Sequence, residues 1–281
     1  MIPFAQRFAE LSRARSPLCI GLDPSEALIR RWGLSADAEG LRTFCGRVLD
    51  AVGDLAAVVK PQAAFFERFG AEGMAEFGAA IRRIRAQGSL ALIDAKRGDV
   101  AGTMEGYAAA MLGQDGGFGG DAVTLNAYLG FDALQPVFER AQAEGAGVFV
   151  VVHSSNAEGR TLQCARHPDG RTVSEALADA VTRFNGPSTA VGLLGAVVGA
   201  TLAADDAGLL DRLPRSLILA PGVGAQGASI ADVAARFGAA RGRVLPSVSR
   251  DVLARGPEPD VLREAILRYR DQAWALSDGA A

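Results

Sequence analysis

In Asp94-Ala95-Lys96-Arg97-Gly98-Asp99 two acids bracket a lysine directly after the apolar run Leu90 to Ile93. A short apolar run bounded by charge reads as a buried strand, so the charged groups fall at its end, where an enzyme keeps acid and base groups. Successive strand side chains alternate between faces, which puts Asp94 and Lys96 on one face about 7 Å apart in rise. Asp99 follows Gly98, where the chain can turn, so its carboxylate can fold back on the lysine or reach a neighbouring subunit. The alternative is a solvated strand-to-helix turn in which Asp99 or Thr103 serves as a helix N-cap.

Apolar runs bounded by Gly, Pro or charge recur eight times: Leu18 to Leu22, Ala56 to Val59, Leu90 to Ile93, Ala122 to Leu125, Gly147 to Val152, Leu194 to Val198, Leu217 to Ala220 and Arg243 to Leu245. The stretches between them are long enough for helices, and Phe65, Phe66 and Phe69, then Met74, Phe77, Ile81 and Ile84, show helical spacing. Continuously apolar strands separated by helices predict an α/β fold with a parallel sheet, and eight units in about 250 residues predict a (β/α)8 TIM barrel. No interdomain linker interrupts residues 1–281, so one barrel domain is expected. An open doubly wound sheet is the competing architecture; against it, the turn after the first strand reads Gly21-Leu22-Asp23-Pro24, without the glycine pattern of a dinucleotide site. Gly113 to Gly120 predicts a helix exit and tight loop, and Asn156 to Ser174 a long polar loop.

In a barrel the active site lies at the C-terminal ends of the strands. There the chain places Asp23, Lys60 with Gln62, Asp94 with Lys96, Thr124 with Asn126, His153 to Asn156, Thr201, Gln226, and Ser247, Ser249 and Arg250. Several charges converging on one rim do not serve stability, because each buried charge needs a partner. Gly222, Gly224 and Gly227 permit close backbone approach, and Gln226 and Arg250 add an amide and a two-pronged guanidinium, which together suit a phosphate. His153 and His167 receive no catalytic role, since a single His at a barrel rim is as often a structural hydrogen-bonding group.

The 281 residues are 49% hydrophobic and 22% charged with a formal net charge of -3, which describes a globular protein and excludes the basic footprint of a general nucleic-acid binder. Cys19, Cys45 and Cys164 are odd in number and widely spaced, so no disulfide framework or zinc site is expected. The N-terminal stretch carries Phe4, Phe8 and Leu11 as a helical stripe rather than a signal peptide, and no run reaches transmembrane length. No membrane association and a cytoplasmic location are expected.

The fingerprint at 94 to 99 resembles that of the orotidine 5′-monophosphate decarboxylase family in its longer bacterial branch. The likeness extends through Gly21-Leu22-Asp23-Pro24, Val59-Lys60-Pro61-Gln62, the segment 123 to 130, Ser155-Asn156, the segment 220 to 227 and Val248-Ser249-Arg250. It departs at Ala127 and Ala157, where the longer branch carries proline, and at His153, which is unfamiliar there. The resemblance implies a homodimeric barrel with shared active sites that converts orotidine 5′-monophosphate to UMP and CO2 in pyrimidine synthesis, with no metal or organic cofactor. By position it implies that Lys96 protonates C6 of the pyrimidine, held between Asp94 and Asp99, and that Asp23 and Lys60 bind ribose hydroxyls. It further implies that Asp99 and Thr103, with Val100, come from the partner subunit, that Ser155 meets the pyrimidine edge, that Gln226 and Arg250 hold the phosphate, and that Asn126 helps line the site. Two rivals remain: a magnesium-dependent sugar-phosphate aldolase or decarboxylase, whose barrels use a similar Asp-x-Lys-x-x-Asp segment, and a catalytically silent phosphate-binding barrel.

Overall fold

The computed structural model describes residues 1–113 and 117–277, with the side chains at 204–207 left undescribed. Eight parallel strands close into a barrel in chain order: β1 (Cys19–Leu22), β2 (Val58–Pro61), β3 (Leu90–Arg97), β4 (Ala122–Leu125), β5 (Gly147–His153), β6 (Leu194–Val198), β7 (Ile218–Val223) and β8 (Val244–Val248). Closure is made by β8 beside β1, with Cys19 opposite Ser247 and Ile20 opposite Val248. Every expected run overlaps a strand, but β2, β3, β5, β7 and β8 continue beyond the expected ends, β3, β7 and β8 the furthest. In β3 the ladder resumes past a bulge, as in the Gln62 to Asp94 bridge and the Arg97 to Leu125 pair.

Strand alternation divides the apolar residues into two sets. One lines the inside of the barrel and includes Cys19, Val58, Leu90, Leu92, Ala122, Phe149, Val197, Leu217, Leu219 and Leu245. The other, including Ile20, Val59, Ala91, Ile93, Val123, Val148 and Val150, packs outward under the helices. The helix Ala38–Val52 shows why these segments form: Asp37 accepts from the Gly40 N–H at 2.9 Å, and Leu41, Phe44, Cys45, Val48, Leu49 and Val52 repeat at helical spacing and are buried. The N-terminal stripe forms the helix Phe4–Arg15, whose Phe4 and Phe8 plug the lower mouth of the barrel, Phe4 meeting Phe149 edge to face at 5.8 Å.

One expectation for a loop is revised, and a second falls partly outside the described residues. Asn156 to Ser174 contains a 3-10 turn at Ala157–Gly159, a helical turn at Arg160–Gln163 and an antiparallel bridge between Arg166 and Thr172. These single turns carry no apolar stripe, and what anchors them is Gln163, whose Oε1 accepts from the Ser154 N–H at 3.0 Å and whose Nε2 donates to Ser154 Oγ at 2.9 Å. The helix Ala101–Leu112 ends at Gly113, and of the tight loop expected over Gly113 to Gly120, residues 114–116 lie outside the described residues.

Candidate active site

The alternation that packs the barrel interior also selects what stands at its upper mouth. Continuing each inward row by two residues leads from Val58 to Lys60 and Gln62, from Leu92 to Asp94, from Ala122 to Thr124, and from Leu245 to Ser247 and Ser249. The rows are apolar below and polar at the rim. A cavity of about 300 Å³ opens there, lined by Asp23, Lys60, Gln62, Asp94, Lys96, Ser154, Ser155, Asn156, Gln226, Ser247, Ser249 and Arg250 among others. A larger cavity, about 420 Å³, opens at the opposite end beside Phe4, Phe149 and Leu217, away from the charged groups.

Asp94 is the hub of the rim. Its Oδ2 accepts from Lys60 Nζ at 2.6 Å, its Oδ1 accepts from Lys96 Nζ at 2.5 Å and from Thr124 Oγ1 at 2.8 Å, and its carbonyl accepts from Gln62 Nε2 at 3.1 Å. Burial is the largest influence on this carboxyl and pushes it up, but Lys60 and Lys96 together outweigh it and hold it well below the ordinary carboxylate range. For Lys60 burial likewise acts first and downward, and the charges of Asp94 and Asp23 reverse it, leaving the ammonium above the ordinary lysine value. Both groups are therefore charged near neutrality. The lysines differ in access: both line the cavity, but the Lys60 side chain is 6% exposed and that of Lys96 48%, so Lys96 presents the more open ammonium.

Lys96 does not follow the regular alternation expected for it. Its φ is +46°, in the left-handed region that a side chain with Cβ seldom adopts, and β3 bulges there. Between the Ile93–Val123 and Arg97–Leu125 pairs, β3 advances four residues while β4 advances two. Two β4-side residues hold the bulge. The Lys96 N–H donates to Thr124 Oγ1 at 3.0 Å, and Asn126 Nδ2 donates to the Lys96 carbonyl at 2.7 Å.

Asp99, Thr103 and Asn126 do not line the cavity of their own chain. Asp99 Oδ1 accepts from the Val100 N–H at 2.7 Å just ahead of the helix Ala101–Leu112, and Thr103 is exposed on that helix without capping it. Asp23, Lys60, Asp94, Lys96, Ser155, Gln226 and Arg250 are brought together. Asp23 Oδ2 accepts from Ser249 Oγ at 2.5 Å, while its Oδ1 is buried with no hydrogen-bond partner. Gly222 has φ +104°, and a Cβ there would meet Gln226 Oε1 at 2.6 Å, so the glycine admits the amide to the rim.

Thr124 and Ser249 were visible as polar strand ends, yet their partners were not. The signal that singles them out is the inward row on which each stands, two or four residues above a lumen-facing apolar side chain. His153 breaks that rule because β5 shifts register between Val151 and His153. Its Nδ1 lies 3.1 Å from Ser174 Oγ, which itself donates to the Val152 carbonyl at 2.8 Å, so Nδ1–H is the donor and the ring belongs to the packing beneath the helix Val173–Asn185.

Residues 16–265 match the family model described as orotidine 5′-phosphate decarboxylase / HUMPS. The chain is 49% identical over 276 residues to the orotidine 5′-phosphate decarboxylase of Myxococcus xanthus, covering 98% of this chain and 96% of that protein. It is 47% identical over 280 residues to that of Salinispora tropica, each covered in full. A solved Streptomyces avermitilis structure bearing the same name superposes with a TM-score of 0.93 at 42% identity, over 99% of this chain and 96% of that one.

Proposed function

As the chain belongs to the orotidine 5′-phosphate decarboxylase / HUMPS family, we propose that its barrel converts orotidine 5′-monophosphate to UMP and CO2, a step of pyrimidine biosynthesis, with Lys96 as the proton donor. The observation that carries this reading is the Lys60–Asp94–Lys96 chain at the mouth of a cavity sized for a small molecule. Loss of CO2 breaks the bond from C6 to the carboxylate and leaves the electron pair on C6, in the plane of the ring and without a conjugated sink. A fixed cation can stabilise that charge, and the Lys96 ammonium then transfers its proton to C6 and is reprotonated by water. Preorganised charge in a site shielded from water usually contributes more to such catalysis than any other effect. Asp94 keeps the ammonium charged and aimed.

Around that centre, Asp23 and Lys60 take the ribose hydroxyls; the orphaned, buried Asp23 Oδ1 is an acceptor awaiting such a donor. Gln226 and Arg250 hold the phosphate from the loops after β7 and β8, where barrels commonly bind it, and Ser155 meets the pyrimidine edge. Asp99, Thr103 and Val100 face a second copy of the chain. In support, Val100, Tyr128 and Leu129 are apolar and 59%, 78% and 54% exposed on the loops beside the site, the kind of surface a homodimer covers. A cytoplasmic location accords with cysteines that are free thiols among the described residues, and no helix of those residues is long and apolar enough to cross a membrane.

The magnesium-dependent reading is disfavoured because both oxygens of Asp94 are engaged by ammonium groups. Among the described residues no three His, Cys, Asp or Glu side chains converge as a metal site. The test is loss of orotidine 5′-monophosphate absorbance by the purified protein with and without EDTA. Turnover unaffected by EDTA is expected. No turnover of this substrate, together with magnesium-dependent turnover of a hexulose phosphate, would overturn the reading.

A further inference from the structure

We infer that Asn126 and Thr124 are positioning residues for the reaction, which clamp the Lys96 peptide from both sides and do not bind substrate. The inference rests on the reading of Lys96 as the proton donor. Four observations converge on it. Lys96 has a left-handed backbone, at φ +46°. Its N–H and its carbonyl are each held by a side chain of the neighbouring strand or the turn after it, at Thr124 Oγ1 and Asn126 Nδ2. Asn126 is itself fixed at both ends, since its N–H donates to the Arg97 carbonyl at 2.8 Å and its Oδ1 accepts from the Tyr128 N–H at 3.3 Å. Finally, a Cβ on Gly98 would come within 2.4 Å of the Asn126 carbonyl, so glycine is what lets the two loops close to hydrogen-bonding distance.

A non-glycine residue persists in a sparsely populated conformation only where its surroundings over-determine it, and such strain gathers where geometry serves function. Here the surroundings are identifiable. Thr124 Oγ1 accepts from the Lys96 N–H and donates to Asp94 Oδ1, so one hydroxyl sets the backbone of the donor and the carboxylate that aims it. Asn126 supplies the opposing contact on the carbonyl side. Released from the clamp, the Lys96 peptide would turn towards the extended conformation that the rest of β3 adopts, and the ammonium would leave its line between Asp94 and the cavity. A displacement of about 1 Å at a reacting group is enough for about a hundredfold loss of rate.

The experiment compares Asn126→Ala, Thr124→Val and Thr124→Ser with wild type in steady-state turnover of orotidine 5′-monophosphate and in UMP affinity by titration calorimetry. Asn126→Ala and Thr124→Val are expected to lower kcat by about ten- to hundredfold, with KM and the UMP Kd within about threefold of wild type. Thr124→Ser, which retains the hydroxyl, is expected to restore kcat to within about threefold. Wild-type kcat in Asn126→Ala, or in Thr124→Val should Asn126→Ala not fold, overturns the inference. So does a raised KM and UMP Kd at unchanged kcat, which would make Asn126 a substrate ligand. An inactive wild type would instead remove the decarboxylase reading on which the inference rests.

Discussion

Two ammonium groups share one carboxylate, and that sets how the site responds to pH. Asp94 titrates below the ordinary carboxylate range, so its contribution to stability is complete above about pH 5 and is lost as pH falls through about 3.9 towards its depressed value. Lys60 titrates above the ordinary lysine value, so its contribution is complete below about pH 9 and declines only in strong alkali. Urea unfolding of the wild type should therefore show a flat contribution from this pair between those limits. Asp94→Asn should lose about 3 to 5 kcal/mol at pH 7, because buried Lys60 then loses its hydrogen-bonded counter-charge and keeps only the charge of Asp23 nearby, and part of the acid dependence should vanish with it. A milder residue-scale expectation concerns thiols. Cys19 is fully buried, which pushes its thiol up to about 12, and Cys45 is fully buried as well, so iodoacetamide should label only Cys164 in the native protein.

Among the elements, β3 and β4 form the pair on which the site depends. Gly98→Ala would set a Cβ against the Asn126 carbonyl, a backbone atom that cannot swing aside. It should lower kcat at least about tenfold, with a loss of about 1 to 3 kcal/mol in thermal or urea unfolding. An alanine variant with wild-type kcat would mean that the bulge tolerates a wider separation. This scale also explains what was legible in the chain. The eight strands were readable because a parallel strand covered on both faces is continuously apolar, and the rim residues were readable as the polar ends of those runs. Their upper limits were not, since Asp94 to Arg97 remain in the ladder after apolarity has ended, and Pro221 to Val223 and Pro246 to Val248 after the break that Pro suggests. The bulges at Lys96 and His153 were hidden for a different reason. Each depends on register against a partner strand, which no local pattern encodes, and the same applies to the hydrogen bonds of Thr124 and Ser249.

The whole molecule is a barrel plugged at one end by Phe4 and Phe8 and charged at the other, with Asp99 and Thr103 outside the lining of their own cavity. An assembly of two copies would complete each site from both chains. Lys96→Ala and Asp99→Ala, each inactive alone, should then regain about a quarter of wild-type sites when mixed and allowed to exchange, as random pairing under two-fold symmetry requires. No recovery despite demonstrated exchange would return Asp99 to its own subunit's site. The sharpest test of Lys96 as the proton donor is the turnover of Lys96→Ala on orotidine 5′-monophosphate, measured beside its UMP affinity. Decarboxylation should disappear while UMP still binds, since Gln226 and Arg250, the proposed phosphate ligands, are untouched. Decarboxylation persisting near the wild-type rate would refute the assignment, because the proton and the stabilising charge would then come from somewhere other than Lys96.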